Sequence, residues 1–181
     1  MNNTNATIEI MSPAGSYESL MAAIQGGADA VYFGVGTLNM RARSSMNFGF
    51  DDLKEISSIC REHNVRSYLT VNTVIYDEEM DYMQNVVGAA VENGISAIIA
   101  SDLAVMEYAR SRGIEIHIST QCNITNMQAV RFYARYADVM VLARELSLDQ
   151  VRNIAEKIDK ENITGPSGKK ILLELFVHGA M

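Results

Sequence analysis

The sequence predicts an α/β fold, specifically a TIM-like (β/α) barrel that is incomplete, with seven parallel strands and the eighth missing. Short apolar stretches of strand length alternate with longer stretches of helical periodicity, which favours a parallel sheet. Nearly every predicted strand is followed by polar residues, and in a barrel these positions meet at the face where such enzymes place their sites. An open dinucleotide-binding sheet is less well supported, because no GxGxxG fingerprint follows the first strand.

Seven stretches have the length and composition of strands and are bounded by turn residues. They are 8–11, 30–33, 65–72, 97–100, 114–118, 139–142 and 171–177. Six helices are predicted between them, at 16–25, 51–63, 77–92, 102–111, 127–135 and 148–160. Ser16 and Asp102 stand where N-cap residues are expected. A long loop follows the second strand.

The bulk composition describes one folded domain. Of 181 residues, 48% are hydrophobic and 20% are charged, which is ordinary for a globular protein. The net charge of −7 argues against a basic nucleic-acid-binding surface on this part of the protein. No signal peptide or bilayer-length apolar run is present, so a cytoplasmic protein is predicted. Two cysteines without CxxC spacing predict neither a disulfide framework nor a metal site.

The last predicted strand carries a glutamate within an apolar run. Alternation places Glu174 and His178 on one face, and a buried glutamate is costly without a partner. The sequence then stops at Met181 with no polar tail. We therefore expect residues 1–181 to form a single N-terminal barrel domain of a longer protein, truncated before a further region.

A polar cluster is predicted inside the barrel. Alternation in the fifth strand turns its isoleucines toward the helices and His117 inward, and the same rule turns Glu9, Glu174 and His178 inward. Alternate strands share side-chain layers in such barrels, so Glu9, His117 and Glu174 are expected to be neighbours. We predict His117, Glu174 and His178 as catalytic residues, the alternative being a hydrogen-bonded network that only supports the barrel.

Polar residues at the strand ends are candidate substrate contacts at the barrel mouth. They are Ser12, Asn72, Asp102, Gln121, Arg144 and Glu145. Arg41 and Arg43, two residues apart in the loop after the second strand, can hold a carboxylate or phosphate, or can simply be solvated. Arg144 and Glu145 can anchor substrate or form an ion pair at the rim.

Several familiar mechanisms lack their residues. The sequence has no HExxH zinc motif and no GxSxG nucleophile elbow. None of the five lysines stands at a strand end, which argues against Schiff-base chemistry. Cys60 lies on the apolar stripe of a helix, and Cys122 is a lone thiol without a paired base.

The sequence resembles the collagenase-like peptidase family, whose members are peptidases of unassigned catalytic type. The resemblance runs along the whole chain in the family's order. The matching stretches are 11–15 (MSPAG), 27–34 (GADAVYFG), 43–48, 68–72, 119–121 (STQ), 143–146 (AREL) and 174–180 (ELFVHGA). Ala143 departs from the serine that is common before Arg-Glu in the family, which removes one hydroxyl contact.

The resemblance implies a cofactor and a favoured function for the full-length protein. In the family, the His-Gly-Ala turn precedes the first of four cysteines that hold an iron–sulfur cluster in characterised members. A cluster is therefore expected in the full-length protein through cysteines beyond Met181, and none within this part. The favoured function is oxygen-independent hydroxylation of RNA, notably the wobble uridine of transfer RNA, with prephenate as a partner metabolite. Related branches act on ubiquinone precursors.

Two other interpretations stay open at this stage. One is a peptidase, a hydrolase acting on collagen-like substrates, as the older family description implies. The other is a non-catalytic scaffold or binding module. In any of the three, an incomplete barrel leaves two strand edges unpaired, so self-association of this part of the protein is expected.

Overall fold

The computed structural model describes residues 8–40 and 48–177. Seven strands alternate with six helices, as predicted. The strands are β1 Met11–Pro13, β2 Ala30–Phe33, β3 Arg66–Val71, β4 Ala97–Ala100, β5 Glu115–Ile118, β6 Val139–Val141 and β7 Leu172–Glu174. The helices are α1 Tyr17–Gln25, α2 Asp52–Glu62, α3 Met80–Glu92, α4 Leu103–Ser111, α5 Met127–Tyr133 and α6 Leu148–Glu161. Short 3₁₀ turns lie at Asp77–Glu79 and Thr120–Cys122.

The helix starts follow the predicted capping. The Ser16 side chain accepts a hydrogen bond from the Ser19 amide, and Asp102 accepts one from the Ala104 amide. Such contacts satisfy amides that have no partner within the first turn of a helix. The caps fix where each helix leaves its preceding strand, and so help to set the loops at the carboxyl ends of the sheet.

All seven strands form one parallel sheet in the sequential order β1-β2-β3-β4-β5-β6-β7. The large core lies between the sheet and the helices, and Phe33, Leu69, Ile98 and Ile118 contribute to it. On the other face a smaller apolar cluster contains only strand residues, with Tyr68 and Ile99 among them. A doubly wound sheet would carry helices on both faces. The chain therefore forms a curled partial barrel with its helices outside.

The first strand begins three residues later than predicted. Ile8 and Ile10 are exposed, at 85% and 61%, and the pairing starts at Met11. Pro13 is tolerated inside β1 because the Ala14 amide bonds to the carbonyl of Tyr32, so the position of the missing Pro13 amide faces the unpaired edge. Residues 8–11 have the alternation of a strand, but of these four only Met11 belongs to β1.

The last strand is shorter than predicted. It pairs with β6 only over Leu172–Glu174, and the next three residues are exposed. Within the described residues, β1 pairs only with β2 and β7 only with β6, so the sheet has two open edges. No helix in 8–40 or 48–177 is both long and apolar enough to cross a bilayer.

The open edges lead to a prediction about association. We expect light scattering of the 181-residue chain to show dimers or larger species that increase with concentration, because unpaired strand edges bind other strands. Lysine at Ile8 and Val177, which are 85% and 99% exposed beside the two edges, should reduce association. Val74→Lys, at an exposed site after β3, which is paired on both sides, is the control and should not. A clean monomer over a wide concentration range would contradict this expectation.

Candidate functional site

The inner face of the sheet carries a network of charged groups at its amino-terminal end. The Tyr68 hydroxyl donates a hydrogen bond of 2.7 Å to Glu9 Oε1. Arg66 Nη1 lies 3.6 Å from Glu9 Oε2, and the Arg66 guanidinium lies 5.0 Å from the centre of the Tyr68 ring. These contacts join the segment before β1 to β3 across the intervening strand β2, as the layers of a curved barrel do.

The same arginine connects β3 to β5. Arg66 Nη2 donates to Glu115 Oε2 at 2.7 Å, and Glu115 Oε1 lies 2.9 Å from His117 Nε2. The hydrogen bond with His117 lowers the pKa of the Glu115 carboxyl, and Arg66 lowers it further, although partial burial acts in the opposite direction. Glu115 therefore favours the ionised form, in which it only accepts hydrogen bonds.

His117 is fully enclosed within this network. The residue is 1% exposed, and its ring packs on Tyr68 with 4.5 Å between ring centres. Nε2 is occupied by Glu115, whereas Nδ1 is buried with no hydrogen-bond partner among the described residues. A buried polar atom without a partner costs free energy, and such atoms concentrate where a protein performs chemistry.

Glu174 lies further toward the carboxyl ends of the strands. His117 pairs in register with Val139 and Val139 with Leu172, so Glu174 is two residues beyond the level of His117 on the same face. Burial raises the pKa of the Glu174 carboxyl, His117 opposes this increase, and Glu9 adds to it. The three groups predicted to be neighbours thus interact electrostatically, but the hydrogen bond of His117 is with Glu115.

At the carboxyl end, Asn72 connects two of the strand ends. Its Nδ2 donates to Ser119 Oγ at 3.4 Å, and its Oδ1 accepts from the Met40 amide at 3.1 Å. Met40 directly precedes the segment 41–47. Asn72 is therefore placed at the barrel mouth as predicted, holding the end of β5 near the loop that follows β2.

The other predicted mouth residues differ in what they contact. Asp102 uses both oxygens on backbone amides, those of Ala104 and Ile75, at 2.8 and 3.1 Å. Gln121 and Glu145 are exposed in turns after β5 and β6. The Arg144 guanidinium stacks 4.2 Å from the centre of the Phe176 ring. Arg144 therefore packs on the segment that follows β7, where its cation remains available to a ligand.

One predicted contact lies on the wrong face. Ser12 pairs in register with Val31, which belongs to the core beneath the helices, and it lines a cleft against α1 together with Ala22 and Ala23. The side chain therefore points away from the barrel interior, because β1 continues to Pro13 and Ser12 lies within the strand, not in the turn that follows it. Arg41, Arg43 and His178 lie outside the described residues.

The residues present do not fit an iron–sulfur cluster. Cys60 is buried in α2, where desolvation raises the pKa of its thiol to about 11. Cys122 follows β5, and burial raises its thiol pKa as well. Across 8–40 and 48–177, no group of three or more histidine, cysteine or acidic side chains is arranged to hold a metal ion.

A comparison with known families decides the affiliation of this barrel. Residues 15–181 match peptidase family U32. The chain belongs to this family. The family resemblance stated from the sequence motifs is thereby confirmed.

Relatives of this U32 chain have different names. It is 61% identical over 173 residues to a protein of Porphyromonas gingivalis named collagenase, covering 96% of the chain and 42% of the relative. It is 32% identical to tRNA hydroxylation protein P1 of Bacillus subtilis, covering 96% and 39%. It is 30% identical to 23S rRNA 5-hydroxycytidine C2501 synthase of Escherichia coli, covering 100% and 26%. The chain thus spans less than half the length of these curated relatives.

Solved structures agree with the fold. The structure of a U32 peptidase superposes with a TM-score of 0.70 at 12% identity, covering 93% of this chain and 67% of the other. The copper homeostasis protein CutC of Streptococcus agalactiae superposes with a TM-score of 0.61 at 12% identity, covering 92% and 87%. At such low identity these likenesses establish the fold alone.

The site predicted from the sequence leaves out two members of the inner network of this U32 chain, Arg66 and Glu115, although alternation turns Glu115 to the same face as His117. Arg66 and Glu115 begin β3 and β5, and their contacts place them on the inner face with Tyr68 and His117. The signal was present in the alternation Arg66-Tyr68 and Glu115-His117. Both residues stand at the amino ends of their strands, whereas sites in this fold usually lie at the carboxyl ends.

Glu174 provides a stability prediction with a definite sign. Because burial raises its pKa, the carboxyl favours folding when protonated, and this contribution is lost as the pH rises through the folded-state value. We expect Glu174→Gln to stabilise the chain at neutral pH, by up to about 1 kcal/mol. The difference should vanish below about pH 4, near the ordinary glutamate pKa. Thermal unfolding across this pH range measures it.

Glu107→Gln on the exposed side of α4 is the matched control for the loss of one negative charge. It should leave the pH dependence of unfolding close to that of the unmodified chain. A Glu174→Gln variant that is less stable at neutral pH would contradict the assignment, since it would mean that donors in the barrel stabilise the ionised carboxylate.

Proposed function

We propose that the complete gene product hydroxylates RNA without molecular oxygen, with the wobble uridine of transfer RNA as substrate. Relatives named for tRNA hydroxylation and for rRNA hydroxycytidine synthesis support the RNA class of substrate. The observation that carries the proposal is His117, a buried imidazole with Glu115 on one nitrogen and no nucleophile on the other. This arrangement suits proton transfer to or from a bound base.

The roles of the inner residues follow from their positions. His117 would exchange a proton through Nδ1, and Glu174, nearer the mouth, would accept or return it. The raised pKa of Glu174 brings its carboxyl closer to the working pH, as a proton-transferring group requires. We include His178, four residues after the end of β7 in the chain, as the third catalytic residue.

The mouth would bind substrate. Asn72, Gln121 and the cation of Arg144 are the contacts that we propose there, together with Asp102 and Glu145. Arg41 and Arg43 would hold an anionic partner such as a prephenate-like small molecule. The acidic net charge of −7 requires that most RNA phosphate contacts come from outside these 181 residues.

An iron–sulfur cluster is part of the proposal only as a group held by cysteines beyond Met181, where it would accept electrons from the base that hydroxylation oxidises. Cys60 and Cys122 do not fit as its ligands, because they lie on separate elements with raised thiol pKa values. No step assigned to His117 or Glu174 depends on the cluster.

A peptidase is the second candidate, favoured by the 61% identical relative named collagenase. The geometry offers it little support. Within the described residues no hydroxyl or thiol lies within hydrogen-bond distance of His117 Nδ1, and the Cys122 sulfur is directed to the Ser101 carbonyl at 3.5 Å. An activated nucleophile needs a base within reach of its proton. A non-catalytic scaffold is the third candidate.

The test is the nucleoside content of RNA in a strain from which the gene has been deleted. We expect mass spectrometry to show that hydroxylated uridine disappears from transfer RNA and returns on complementation, also in cultures grown without oxygen. Loss of a hydroxylated nucleoside from ribosomal RNA alone would keep the reaction and change the substrate. Unchanged nucleosides together with gelatin cleavage by the purified protein would favour the peptidase, and neither activity would favour the scaffold.

A further inference from the structure

We propose that Glu115, held by Arg66, is a positioning residue for His117, and that it fixes the ring proton on Nε2 so that Nδ1 is the reactive nitrogen. The assignment of a task to Nδ1 rests on the proposed function, but the placement of the proton does not. The Glu115 carboxylate makes two contacts, one with each oxygen.

The two oxygens of Glu115 contact two different partners. Oε2 accepts from Arg66 Nη2 at 2.7 Å, and Oε1 lies 2.9 Å from His117 Nε2. The Arg66 guanidinium can only donate hydrogen bonds, so the side chain of residue 115 must turn an acceptor oxygen toward it. Glu115 meets this requirement and still presents a second oxygen to His117.

The Glu115 carboxylate determines which nitrogen of the His117 imidazole carries the proton. An ionised carboxylate oxygen accepts hydrogen bonds, so the nitrogen that faces it must carry the proton. In the neutral ring this leaves Nδ1 as a lone pair, and the second ring nitrogen sets the chemistry of the first, as in other carboxylate–histidine pairs. The buried Nδ1 without a partner is the nitrogen that such a pair would make a base.

The groups around His117 fix the orientation of its ring. Tyr68 packs against His117 with 4.5 Å between ring centres, and its own hydroxyl is tied to Glu9. Arg66 is in turn near Glu9 and over the Tyr68 ring. Rotation of the imidazole would break the bond to Glu115 in an enclosed site, so the network prevents an exchange of the two nitrogens.

The charged and titratable groups around His117 come from its own strand, from the alternate strands β3 and β7, and from the segment before β1, whereas the flanking strands β4 and β6 are apolar. Glu115 is on the same strand, and Arg66 and Tyr68 are on β3. Glu174 on β7 interacts with the ring electrostatically, and Glu9 belongs to the segment before β1. Of these, only Glu115 bonds to the ring, so only its replacement should move the ring proton.

The test is nitrogen NMR of the chain with ¹⁵N-labelled histidine, recorded at about pH 9, above the ordinary imidazole pKa of about 6.5. His117→Gln assigns the signals. We expect unmodified His117 to be a single tautomer with the proton on Nε2. In Glu115→Gln, the amide oxygen must face Arg66 and the amide NH₂ must face Nε2, so the proton should move to Nδ1. Glu174→Gln is the matched control and should keep the original tautomer.

The unmodified chain alone keeps the test decisive should Glu115→Gln fail to fold. A proton on Nδ1 in the unmodified chain would overturn the proposal, and so would an unchanged tautomer in a folded Glu115→Gln variant. In the complemented deletion strain, Glu115→Gln should lower RNA hydroxylation about tenfold or more. Absence of hydroxylation with the unmodified gene would refute the proposed function, while the NMR result would still decide the role of Glu115.

Discussion

Replacing His117 with glutamine is expected to lower RNA hydroxylation by the complete gene product at least about 100-fold. Glutamine fills similar space and can still hydrogen-bond to Glu115, but its amide does not exchange a proton near neutral pH. The measurement is mass spectrometry of nucleosides from a deletion strain that carries the variant gene. Circular dichroism and iron content should match those of the unmodified protein, so that the loss reports on chemistry.

The matched control is His63→Gln at the end of α2, an exposed histidine that makes no contact given for the inner network. It should leave hydroxylation unchanged. Full hydroxylation by a folded His117→Gln protein with normal iron content would remove His117 from the mechanism. The network of Arg66, Glu115 and Tyr68 would then be a structural support of the barrel.

Gly34→Ala is expected to destabilise the chain by about 2–4 kcal/mol. A β-carbon at this position would lie 2.3 Å from Cγ of Asn39. Asn39 is 2% exposed, and its amide donates to the carbonyls of Val35 and Gly36. Displacing this side chain would break both hydrogen bonds in a buried place. Chemical denaturation compared with the unmodified chain measures the effect.

Gly49→Ala is the control for a glycine-to-alanine change near the same loop. A β-carbon there meets only a carboxylate oxygen of Asp52, at the ordinary contact distance of 3.6 Å. Its effect should stay within about 0.5 kcal/mol. Equal stability of Gly34→Ala and Gly49→Ala would show that Asn39 can move at little cost.

Much of the fold was predictable because apolar periodicity and helix caps act locally. Ser16 and Asp102 marked helix starts correctly, and the strand 30–33 was exact. The errors came where burial was decided by distant parts of the chain. Ile8 and Ile10 look like strand residues, yet the sheet edge beside them is open and they remain exposed.

The face of the sheet that carries the site residues could be predicted from the sequence, but the contacts between those residues could not. Alternation placed His117 and Glu174 on the inner side, which the register from β5 to β7 confirms. It could not tell that Arg66 would reach from β3 to Glu115 on β5 and so direct that carboxylate to His117. Contacts between alternate strands depend on the curvature of the sheet, which the sequence of one strand does not contain.

The sequential order of the strands bears on how the protein folds while it is being synthesised on the ribosome. Each strand pairs with the one made just before it, so every ladder closes over a single helix-containing connection and no pairing has to wait for a distant part of the chain. The growing sheet always presents one fresh edge to the segment being synthesised next. The barrel can therefore be assembled in the direction of translation, with each new βα unit added to a template already in place.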